Sequence, residues 1–131
     1  LPAWTLKTTV YWRQKFPANK QVTLVHTYRP VVGRPAPNSD LERSVCLAGN
    51  ELRRLQEEQE KPRLTLVNYQ MTVGAGWSDT IGKFRLIIEK PTATTRVATC
   101  RKGLTMVSPI QLEMTERDFA IDDDITVLFI Q

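Results

Sequence analysis

The chain has 131 residues, enough for one domain with its own core and too few for two comfortable ones. Hydrophobic residues make up 41% and charged residues 24%, which excludes a disordered tail, a collagen-like chain and a disulfide-dense miniprotein. The formal net charge is +4, and no apolar run approaches the roughly 18 residues of a membrane helix, so the chain is not expected to be transmembrane.

The charge is unevenly placed. Residues 1–40 carry six basic residues against the single acid Asp40, giving +5, whereas residues 41–131 carry twelve bases and thirteen acids, giving −1. A positive field of this kind suits an acidic partner or an anionic surface. Nucleic acid asks for a denser basic stripe and is not the expected partner.

The first 30 residues alternate in period two. Trp4, Leu6, Val10 and Trp12 share one parity, while Thr5, Lys7, Thr9 and Arg13 share the other. Phe16-Pro17-Ala18-Asn19-Lys20 interrupts with turn chemistry, and alternation resumes through Val22, Leu24, His26 and Tyr28. Residues 4–15 and 21–29 are therefore expected to pair as an antiparallel hairpin, with Lys7, Arg13 and Lys15 on one face as a basic patch. The loop at residues 30–38, with Pro30, Pro35 and Pro37, stops both strand and helix.

One helical stretch follows, over about residues 39–60. Ser39 with Glu42 reads as a capping box, and Leu41, Val45, Ala48, Leu52 and Leu55 form an apolar stripe. A break near Gly49 is favoured over an unbroken helix. After Pro62 period two returns at Thr65–Val73, then at Phe84–Ile88 beyond a loop Gly74-Ala75-Gly76-Trp77. Short runs at 96–101, 104–107, 110–114 and 125–130 complete a spacing of roughly ten residues. The fold class is mainly β, an antiparallel sandwich in a single 1–131 domain with a helical insertion.

Few residues suggest chemistry. His26 is the only histidine and reads as a hydrogen-bonded residue of a strand; the alternative is a hydrolase using it as general base beside a serine or carboxylate. No G-x-S-x-G elbow exists, and Glu113, Glu116 and Asp118 are indistinguishable from surface charges. Gly74-Ala75-Gly76-Trp77 leads to a strand, not to a helix that could hold a phosphate, and reads as a hairpin loop or as a binding loop with Trp77 as anchor. Asp122-Asp123-Asp124 lacks calcium-loop spacing and reads as a charged turn. No metal and no cofactor is expected. Cys46 and Cys100 lack zinc spacing, which leaves two buried thiols or a disulfide; the off-stripe position of Cys46 leans toward a cross-link.

Tyr11-Trp12-Arg13-Gln14-Lys15-Phe16-Pro17, His26-Thr27-Tyr28-Arg29-Pro30-Val31-Val32-Gly33 and Gly76-Trp77 through Ile81-Gly82-Lys83-Phe84-Arg85-Leu86, with Cys100, Gly103 and the closing segment 119–130, resemble the bacterial domain of unknown function 4424 family. The resemblance covers nearly all of the chain and corresponds to the C-terminal half of the family's typical length. It implies a β-rich, exported protein, periplasmic or secreted, made with a signal peptide on a missing N-terminal portion. An oxidising compartment in turn favours the Cys46–Cys100 disulfide. It supplies no active site. The expected role is a binding or structural module of the cell envelope, using Trp77 with Gly74 and Gly76, or Lys7, Arg13 and Lys15, to meet a protein or acidic envelope component. Pairing with the missing portion, or self-association through an uncovered strand edge, is the remaining expectation.

Overall fold

The computed structural model describes residues 6–71 and 80–131. Two three-stranded antiparallel sheets and two short helices make up its regular structure. The first sheet has the order β1-β6-β3, from β1 (Leu64–Tyr69), β6 (Ile125–Ile130) and β3 (Arg96–Thr99). The second has the order β2-β5-β4, from β2 (Ile81–Glu89), β5 (Gln111–Phe119) and β4 (Thr105–Ser108). The mainly β, sandwich-like class is thus as expected.

Strand β6 reads Ile-Thr-Val-Leu-Phe-Ile because it is covered on both faces. Leu128 and Ile130 pack with Leu41, Val45, Leu55 and Leu64 under the helices. Ile125 and Val127 pack with Ile88 of the second sheet, alongside Phe84, Leu86 and Leu112. Three layers result, helices on the first sheet and the first sheet on the second. Leu66 and Ala98 flank Leu128 in register, so the centre of the core has a strand on either side.

The helices are α1 (Ser39–Ser44) and α2 (Glu51–Glu57). The cap differs from expectation by one residue. Extended Asn38 holds the N-cap, and its Oδ1 accepts the Leu41 N–H at 2.9 Å, which leaves Ser39 as the first helical residue. The break expected near Gly49 is present, with no helix from Val45 to Asn50. Cys46 adopts φ 51°, a left-handed conformation that ends α1. Leu41, Val45 and Leu55 are buried all the same, since each short helix sets one turn on the first sheet.

A second left-handed residue shapes the other sheet. Asp118, at φ 51°, breaks the alternation of β5, so Phe119 turns inward and stacks on Phe84 with centroids 4.1 Å apart. The Arg101 guanidinium lies over the ring of Phe119, 5.0 Å from its centroid.

The hairpin expected at 4–15 and 21–29 is corrected by the structure. Residues 6–32 contain a turn at Ala18-Asn19, with Asn19 at φ 56°, but no strand. The two limbs do approach, since the Trp12 and His26 rings lie 4.6 Å apart. Alternation records a sequence suited to a half-buried pleat, and a two-stranded ribbon without a layer beneath it is marginal. Residues 6–32 are here called the arm. It meets the body at Gly33, which exchanges both main-chain hydrogen bonds with Leu66, at 2.8 and 2.9 Å.

Leu128→Ala is expected to destabilise the protein by about 3 kcal/mol in urea denaturation, because it opens a cavity where all packing directions are occupied. Val31→Ala, at a side chain 96% exposed, is expected to change stability by less than about 0.5 kcal/mol.

Candidate functional site

The expected site residues do not converge. Lys7, Arg13 and Lys15 are exposed, but the strand that was to align them on one face is absent. His26 is corrected too. Its ring is exposed, sits against the Trp12 indole and makes no hydrogen bond among the described residues, so it is not a strand's internally bonded imidazole. Gly74, Gly76 and Trp77 lie outside the described residues.

Cys46 and Cys100 form a disulfide, with their Cα atoms 4.9 Å apart. It ties the end of α1 to the end of β3. A cavity of about 520 Å³ lies beside it, lined by Arg43, Thr99, Arg101 and the run Asp122–Asp124. That run has a structural task, since Asp124 Oδ1 accepts the Met71 N–H at 2.8 Å. Among the described residues no group of three or more His, Cys, Asp or Glu is arranged to hold a metal.

A second tie reinforces the first. Arg96 on β3 bonds Glu51 and lies 3.5 Å from Glu58, both on the α2 side, and Glu51 also accepts from Arg54 at 3.4 Å. On the outer face of the second sheet Arg85 grips Glu113 through two bonds of 2.7 and 3.1 Å. The hydrogen bonds from Arg85 hold the Glu113 carboxyl below the usual carboxylate range and raise the guanidinium in turn. A carboxylate so held is ionised and paired near neutral pH.

Two features escaped the sequence. One is an apolar cleft of about 380 Å³ between the sheets, walled by Val67, Tyr69, Phe84, Leu86, Val127 and Phe129. The other is the contact of the arm with its rim, where the Tyr28 and Tyr69 rings stack at 6.4 Å. Shielding of the ring, and then the neighbouring Tyr69 phenol, push the Tyr28 hydroxyl above the ordinary phenol range. Both features need β1 beside β6 and Gly33 beside Leu66, pairings that no local pattern reveals.

The geometry offers an exposed apolar and basic arm mounted on a cross-linked body. A family model described as Domain of unknown function (DUF4424) matches residues 1–128. The chain belongs to this family. The resemblance carried by Tyr11–Pro17, His26–Gly33 and the segment 76–86 is therefore sound. No curated protein and no solved structure matches this DUF4424 chain. No helix among its described residues is long and apolar enough to cross a membrane.

Two outcomes follow for the body. Replacing Cys46 and Cys100 by serine is expected to cost about 4 kcal/mol, from a loop closed over a separation of 54 residues, read as a shift of the urea midpoint that reductant reproduces in the parent chain. Glu113→Gln is expected to lower the melting temperature near neutral pH. The folded-state acidity of Glu113 is strengthened, so its contribution is present above the ordinary carboxylate pKa and fades as pH falls through the lowered value; parent and variant should converge in acid.

Proposed function

We propose that this DUF4424 protein is a non-catalytic binding or structural module of the bacterial cell envelope, docking through its arm onto an acidic protein surface. The observation that carries the reading is the arm's composition and exposure. Ten of the fifteen large apolar side chains exposed among the described residues lie between Leu6 and Val32, including Tyr11, Trp12 and Phe16. Apolar surface massed on one segment marks an interaction site. Lys7, Arg13, Lys15, Lys20 and Arg29 are interleaved with it, and residues 6–32 contain no acid. Apolar anchors supply contact area, while the uniform positive sign selects an acidic partner and steers the encounter.

The disulfide supports an oxidising compartment, periplasmic or extracellular, for this body. Trp77 with Gly74 and Gly76 is assigned in the same proposal to a second aromatic anchor. A hydrolase on His26 would need a hydroxyl or carboxylate in reach of the ring, and the ring's neighbour is the Trp12 indole.

The test uses the intact chain on immobilised poly-L-glutamate. Retention is expected to fall with added salt and to drop roughly tenfold in Lys7→Glu/Arg13→Glu/Lys15→Glu. Retention indifferent to both would refute the docking role. In cells making the native precursor, Cys46 and Cys100 should resist maleimide until a reductant is added; thiols that react without it would remove the envelope assignment.

A further inference from the structure

We infer that the free edge of β1 is a strand-accepting site, and that its occupant is this chain's own segment 28–32, closing as a fourth strand over the mouth of the apolar cleft. The inference goes beyond the docking role and does not rest on it.

Among the described residues, only Gly33 pairs with the edge of β1 that faces away from β6. Arg63, just before β1, exchanges main-chain bonds with Gln131 at 2.8 and 3.0 Å, so the odd positions of this strand direct their N–H and C=O groups toward β6. Leu66 points the other way and bonds Gly33. Asn68 and Gln70 share the parity of Leu66, so their main-chain groups face the free edge.

The Gly33–Leu66 bridge also sets a register. Continued antiparallel, it places Val32 opposite Val67, Val31 opposite Asn68, Pro30 opposite Tyr69, Arg29 opposite Gln70 and Tyr28 opposite Met71. Three independent features suit it. First, the bonded pairs are 33 with 66, 31 with 68 and 29 with 70, so Pro30 falls at a position whose missing N–H points away from β1. Proline is tolerated in a strand at such an outward position. Second, Tyr28 becomes the diagonal neighbour of Tyr69 on the same face, and those two rings already stack at 6.4 Å. Third, Val32 and Tyr28 fall on the face of Val67 and Tyr69, the one that walls the apolar cleft. Val32, now 44% exposed, and Tyr28, 62% exposed, gain cover there as the cleft loses its opening.

Closure has a further consequence. The new edge lacks a donor at Pro30, which blunts edge-to-edge pairing with other chains.

Amide exchange and NOE measurements on the full chain test the register. The amides of Arg29, Val31, Asn68 and Gln70 are expected to exchange at least roughly tenfold more slowly than unstructured amides. Hα–Hα NOEs are expected for Pro30 with Tyr69 and Tyr28 with Met71, the close non-bonded pairs. Val31→Pro removes an inward donor and should abolish protection at Asn68 and Gln70. Val32→Pro removes an outward one and should leave that protection intact, with Leu128 protected in both as the measure of folding. Unprotected edge amides in the parent chain would overturn the inference, as would equal effects of the two prolines. So would NOEs that, in a mixture of labelled and unlabelled chains, arise between copies.

Discussion

Both faces of β6 have to be covered at once, because Ile125 and Val127 project from one side and Leu128 and Ile130 from the other. A strand of this kind cannot be an outer strand or form the floor of a two-layer fold. It needs neighbours on both edges, which β1 and β3 provide, and a layer above and below. The second sheet is one layer. The helices are the other, although six and seven residues are far too few for a stable helix in isolation. Their stability is tertiary, from Leu41, Val45 and Leu55 set against the same two leucines and the isoleucine of the first sheet.

That dependence explains where the covalent and ionic ties sit. The disulfide joins the end of α1 to β3, and Arg96 joins β3 to Glu51 and Glu58. Both fasten the helical layer to the same edge strand. A layer of two short helices that loosened from β3 would expose Leu128 and Ile130 to water. Cross-linking residues 54 apart limits the unfolded chain where local structure contributes least. The left-handed turn at Cys46 belongs to the same device, since it ends α1 at the residue whose sulfur must reach β3.

The strands beyond Pro62 were legible because their alternation coincides with real cover. Phe84, Leu86 and Ile88 face Ile125 and Val127, and β6 reads as an unbroken apolar run because it has two covered faces. The arm was misread for the converse reason. Trp12, Val22, Leu24 and Tyr28 alternate as well as any strand here, but alternation states a preference and does not supply the second layer. The one-residue shift of the cap, from Ser39 to Asn38, is the usual ambiguity where two adjacent residues both carry a capping oxygen. His26 was assigned to scaffold on the strength of a strand that does not form. The cleft and the edge of β1 were invisible, because they arise from pairing residue 33 with residue 66.

The division of charge has a physical meaning once the arm is separated from the body. Residues 6–32 hold five cations and no anion, whereas residues 41–131 are one charge from neutrality. The body is held chiefly by apolar layers and a covalent bond, which salt does not screen. The arm has no such support, and its field extends into solvent where ions screen it. Ionic strength therefore acts on the two parts differently, screening the field of the arm while leaving the apolar layers in place. None of the buried core residues belongs to the arm, so the core does not depend on what the arm contacts.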